Sequence, residues 1–68
     1  MQTRYHVTGM TCHHCVTHVT TEVSAIPAVE KVEVHLDGTM TVESSEAIEM
    51  STIQEAVAEA GDYTVAIR

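Results

Sequence analysis

The sequence predicts an α+β fold of the ferredoxin-like kind, β-α-β-β-α-β, with two helices on one face of a four-stranded antiparallel sheet. Three observations carry this. Apolar and polar residues alternate in four short runs. Two stretches of helical period separate the first run from the second and the third from the fourth. An Asp-Gly pair, the strongest short hairpin signal, lies between the two middle runs.

Tyr5 and Val7 alternate with Arg4, His6 and Thr8, giving a first strand over residues 2–8 that Gly9 breaks. From His13 onward, Cys15, Val19, Val23 and Ile26 fall on one helical face, and Pro27 ends the helix. That helix is rich in Thr and Val, so packing rather than propensity must hold it. Val32, Val34 and Leu36 alternate with Glu33 and His35 in a second strand, Asp37-Gly38 turns the chain, and Met40 and Val42 continue in a third. Ser44 to Met50 reads as a polar connection with Ile48 tucked inward. Ser51 with Gln54 three residues on suggests a capping box. Ile53, Val57 and Ala60 line a second helix that stops at Gly61, and Tyr63, Val65 and Ile67 form the last strand. One domain spanning 1–68 is expected, with no linker, repeat or low-complexity tract.

A chain of 68 residues buries only about 60% of its unfolded surface, which leaves little room for a deep, walled active site. Trp and Phe are absent and only Tyr5 and Tyr63 are aromatic, so stacking on nucleobases is not on offer. Ten acids against three bases give a formal charge of −7, the wrong sign for nucleic acid or an anionic membrane. No acid precedes Glu22, whereas His6, His13, His14 and His18 all do, so the N-terminal end is near neutral and the rest acidic. That acidity serves solubility or the docking of a partner. No run of 18 apolar residues exists to insert in a membrane, and no basic-then-apolar leader is visible. Two cysteines make a poor disulfide framework, which favours a reduced, cytoplasmic chain. Met1 and the missing linker read as a complete stand-alone protein, although a domain cut from a larger transporter would look similar.

Those two cysteines stand in Gly9-Met10-Thr11-Cys12-His13-His14-Cys15, where strand pattern yields to helix pattern. Unpaired amides and the positive dipole end at a helix N-terminus favour thiolate, the form that binds soft metals. A closed tetrahedral zinc site would need two more ligands, and His13 and His14 are too near in sequence to wrap an ion comfortably. A two-thiolate, low-coordination site suits Cu(I), which favours sulfur, and a third thiolate from another protein can enter it.

Gly-Met-Thr-Cys-x-x-Cys after a first strand resembles the heavy-metal-associated domain family, above all its stand-alone bacterial copper chaperones of the CopZ type. The likeness runs through Val29…Val32-x-Val34-x-Leu36, Asp37-Gly38 and Glu59-Ala60-Gly61. It implies Cys12 and Cys15 as metal ligands and Met10 as a prop beneath the loop, and His14 matches a histidine often found before the second cysteine. It also implies a partner: the metal-binding domain of a copper-transporting P-type ATPase, or a copper-sensing regulator. The expected protein is not an enzyme and is a monomer without metal, with a metal-bridged dimer open to it.

Two departures stand out. His13 occupies a position that is commonly small or polar in the family. Asp62 separates Gly61 from Tyr63, which displaces the tyrosine expected beside the metal loop; Tyr63 then reads more simply as a core aromatic, and the acid as a partner for His13 or His14. Met10 reads as core filler rather than a thioether ligand. His13 and His14 read as exposed loop residues, and as a third ligand either would shift preference toward Zn(II). His18, His6 and His35 read as surface residues. Other readings are a Zn(II), Cd(II) or Hg(II) carrier and, from a different class, a thiol-disulfide oxidoreductase. The second lacks the usual Trp before and Pro within the Cys-x-x-Cys.

Overall fold

The computed structural model describes residues 1–68. It contains β1 (Gln2–Thr8), α1 (His13–Ser24), β2 (Val29–Val34), β3 (Thr39–Ser44), α2 (Met50–Ala60) and β4 (Thr64–Ile67). The strands form one antiparallel sheet in the order β2-β3-β1-β4. This is the ferredoxin-like arrangement expected from the alternation of periods. Tyr5 and Val7 of β1, Met40 and Val42 of β3, Val19 and Val23 of α1, and Ile53 and Val57 of α2 form the buried core. Period-2 and period-3.6 stripes thus meet between one sheet face and two helices.

The threonine hydroxyls of α1 bond back to its own carbonyls. Thr17 Oγ1 donates to the His13 carbonyl (3.1 Å), Thr20 Oγ1 to Val16 (2.7 Å) and Thr21 Oγ1 to Thr17 (2.9 Å). Such bonds satisfy the hydroxyls but add little to the helix. The buried positions Val19 and Val23 supply the hold.

Asp37-Gly38 turns the chain as expected: the Gly38 amide donates to the His35 carbonyl (3.0 Å) and the Thr39 amide to Asp37 Oδ1 (2.9 Å). These contacts from Thr39 hold the Asp37 carboxyl below its usual range. Two sequence expectations fail nearby and beyond. β2 closes at Val34, and Leu36 lies in the turn at 45% exposure; the tight turn starts at His35 and leaves no partner strand for Leu36. The Ser51 capping box does not form either. Glu49 is the N-cap, with no side-chain cap bond, and Ser51 already sits within the first turn of α2. Ile48 and Met50 pack against the core, so burial of that apolar pair, rather than a cap, sets where the helix starts.

The solvent face of the sheet carries the few cations. Lys31 lines a shallow hollow there with Gln2, Glu33, Thr41 and Glu43, and the Arg68 guanidinium donates to Thr39 Oγ1 (3.0 Å). His35 and Glu33 pair on the surface at 2.9 Å, and His6 lies within 3.5 Å of Arg68. Both histidines are exposed, as expected. No helix is long and apolar enough to cross a membrane.

Candidate metal centre

Three connections meet at one end of the sheet. The Val7 amide donates to the Gly38 carbonyl (2.7 Å), which ties β1 to the β2–β3 turn. A Cβ at Gly9 would stand 3.2 Å from the Asp62 carbonyl oxygen and 3.3 Å from the Tyr63 ring, so the α2–β4 connection rests directly on the start of the cysteine loop. Gly9 also has φ of 107°, a left-handed conformation that suits glycine. Gly61 completes the seam: a Cβ there would lie 2.8 Å from the Tyr63 ring, and the bare backbone lets the ring fold over it.

Cys12 is the N-cap of α1, in extended conformation (φ −155°, ψ 171°) with no side-chain cap bond. Its carbonyl accepts the Cys15 amide at 3.1 Å, which closes the first turn. The turn brings the two sulfurs to 3.4 Å, with Cys12 exposed and Cys15 half-buried. Both cysteines are free thiols. Met10 is half-buried and packs against the core.

Tyr63 lies outside β4 and half-buried at the core edge, so the core-aromatic expectation holds for its ring. Its hydroxyl does more. Donation from Tyr63 is the largest cause holding the Cys15 thiol down at about 6; the Thr11 amide, the Cys12 thiol and the Cys12 amide add to it against some desolvation. Reciprocally, Cys15 raises the Tyr63 hydroxyl above its ordinary range. Asp62 thus does not exclude Tyr63 from the loop. The extra residue is absorbed in the turn, where the Tyr63 amide donates to the Gly61 carbonyl (2.9 Å). Asp62 forms no ion pair with His13 or His14.

With a pKa near 6, Cys15 is mostly thiolate at neutral pH, and the exposed Cys12 thiol can donate to it. No group of three or more His, Cys, Asp or Glu gathers as a metal cluster anywhere in the structure. His13 and His14 are exposed and do not join the sulfurs in such a group. The donor set is therefore two sulfurs on an open surface, which fits a soft ion of low coordination number better than a closed tetrahedral one. At 3.4 Å the sulfurs are too close for a linear bridge. Metal–sulfur bonds of about 2.3 Å would set them roughly 4.6 Å apart. A linear two-sulfur site would therefore require the exposed Cys12 side chain to turn away from Cys15.

The Tyr63 contact makes a testable prediction. Tyr63→Phe raises the Cys15 pKa, so the pH midpoint of alkylation by iodoacetamide moves up from about 6. The folded thiol is more acidic than an unfolded one, so its contribution to stability is present above the unfolded pKa of about 8.5 and is lost as pH falls through about 6. The metal-free, reduced protein should therefore gain stability across that window, and Tyr63→Phe should flatten the gain. An unchanged alkylation midpoint would show that Tyr63 does not act on Cys15.

The comparisons with known proteins agree with this geometry. The family model described as heavy-metal-associated domain matches residues 4–62. A copper-binding domain from HMA7, a P-type ATPase, superposes with a TM-score of 0.87 at 26% identity, covering 98% of this chain and 92% of that one. A CopZ metallochaperone gives 0.86 at 28%, covering 97% and 100%. The N-terminal domain of a potential copper-translocating P-type ATPase from Bacillus subtilis, in its Cu(I)-loaded state, gives 0.83 at 26%, covering 97% and 84%. No curated protein sequence matches the chain. The matched span runs from the first strand through the cysteine loop to the close of α2, and on that ground the chain belongs to the heavy-metal-associated domain family.

Proposed function

We propose that this chain is a copper chaperone, which binds Cu(I) between Cys12 and Cys15 and hands it on by thiolate exchange. The observation that carries the reading is the open two-sulfur donor set, 3.4 Å apart, with no third ligand group; the lowered pKa of Cys15 favours its thiolate. Cys12, exposed at the N-cap, is the sulfur an incoming thiolate would displace first; Cys15, anchored in the first turn, holds the ion meanwhile. Exchange through such a site needs no catalytic base, and the protein acts as a carrier rather than an enzyme. The acceptor is a copper-transporting P-type ATPase metal-binding domain or a copper-responsive regulator, and the reduced thiols suit the cytoplasm. The similarity to a CopZ metallochaperone and to ATPase copper-binding domains supports both halves of this reading.

A competition titration of the reduced protein with Cu(I) and Zn(II) tests the metal. One Cu(I) per chain with a sulfur-only shell by X-ray absorption is expected. Displacement of Cu(I) by Zn(II), or nitrogen in the shell, would assign the site to a borderline metal instead.

Two thiols this close with a low pKa also invite a redox reading. Insulin reduction by dithiothreitol should proceed no faster with catalytic amounts of this protein than without it. Clear acceleration would make it a thiol-disulfide oxidoreductase.

A further inference from the structure

We infer that His14 and His18 form a second metal site, a two-imidazole chelate for a borderline divalent cation such as Ni(II), Zn(II) or Cu(II), separate from the thiolate pair. The two residues lie four apart within the continuous helix α1 (His13–Ser24). At 3.6 residues per turn they are about 40° apart around the axis and one turn apart along it. Side chains so spaced are neighbours, and two histidines at i and i+4 on one helix face are an established zinc-binding spacing. Both are exposed, opposite the buried Val19 and Val23.

The immediate surroundings leave these rings to a ligand. Neither His14 nor His18 makes a side-chain hydrogen bond or ion pair within the protein, whereas His35 pairs with Glu33 and His6 lies against Arg68. The hydroxyls flanking them, on Thr17 and Thr21, are turned back to helix carbonyls and do not compete. His18 also shares a surface hollow with Glu22 and Glu59, two carboxylates whose field favours a dication over a monovalent ion. No third residue completes a cluster, so water fills the remaining positions and the ion exchanges readily. Imidazole selects Zn, Cu and Ni, whereas the sulfur pair one turn earlier selects softer ions; the two sites therefore divide metals by chemistry.

Ni(II) alone is the probe, added to the full-length Cys12→Ser/Cys15→Ser protein and, in parallel, to wild type loaded with Cu(I). One Ni(II) per chain should bind, and the ring resonances of His14 and His18 should broaden first in the NMR spectrum. His14→Ala and His18→Ala should each weaken binding about tenfold or more, because the second imidazole acts at high effective concentration. His6→Ala and His35→Ala should leave it unchanged. His18→Ala keeps its helix, since alanine is the better helix former, and it should bind Cu(I) as wild type does. That last result separates this site from the thiolate reading. Equal broadening of all five histidines, or unchanged Ni(II) affinity in His18→Ala, would overturn the assignment.

Discussion

Cys12→Ser and Cys15→Ser each lower Cu(I) affinity by roughly two to three orders of magnitude while the fold survives. The size follows from structural zinc sites, where about 10–16 kcal/mol over four ligands gives about 2.5–4 kcal/mol for each. The fold survives because Cys12 is exposed and neither sulfur belongs to the buried core. The two variants should differ in reactivity. Cys12→Ser retains the acidic thiol and should still alkylate rapidly at pH 7. Cys15→Ser removes the thiol that Tyr63 acidifies, and the rapid alkylation at pH 7 should be lost with it. Competition with a Cu(I) chelator, circular dichroism and alkylation rates check all three statements. Tight Cu(I) binding by the double serine variant would sink the thiolate assignment outright.

Ile53→Ala removes a large part of the protein's stability. Ile53 is fully buried on α2, in a core of only eight residues. Removing most of such a side chain costs about 2–5 kcal/mol in lost transfer energy and cavity. Domains carry roughly 0.05–0.15 kcal/mol of stability per residue, so this one holds on the order of 3–10 kcal/mol in all. The loss is a large part of that total. Urea denaturation should show a sharply lower midpoint with a similar slope. A loss of unfolding free energy below about 0.5 kcal/mol would mean that α2 is not held by this contact. Leu36→Ala, by contrast, removes a half-exposed side chain from a turn and should change little.

Most of the architecture was legible because short strands with one wet face and helices with one dry face leave different periods in the sequence. The alternation of Tyr5 and Val7 and the stripe of Val19 and Val23 needed no tertiary information. Leu36 misled for the same reason: it continues the alternation of Val32 and Val34, but the turn begins one residue before it. Ser51 misled because a capping pattern is only one way to start a helix, and burial of Ile48 and Met50 fixed the start elsewhere. The sulfur pair was readable from spacing alone. The reach of Tyr63 to Cys15 was not, because it depends on how a three-residue turn folds over Gly61, a matter of close approach that one-dimensional pattern does not encode. A glycine two positions before the displaced aromatic was the available clue.

The donor that acidifies Cys15 sits 48 positions downstream of it, across a seam made only when the final strand docks on the first. A copy in which that seam is open has its cysteines but not that neighbour, and its Cys15 loses the largest of the contacts that lower its pKa. Completion of the tertiary structure thus adds the largest single contribution to the acidity of Cys15 on top of those the loop makes for itself.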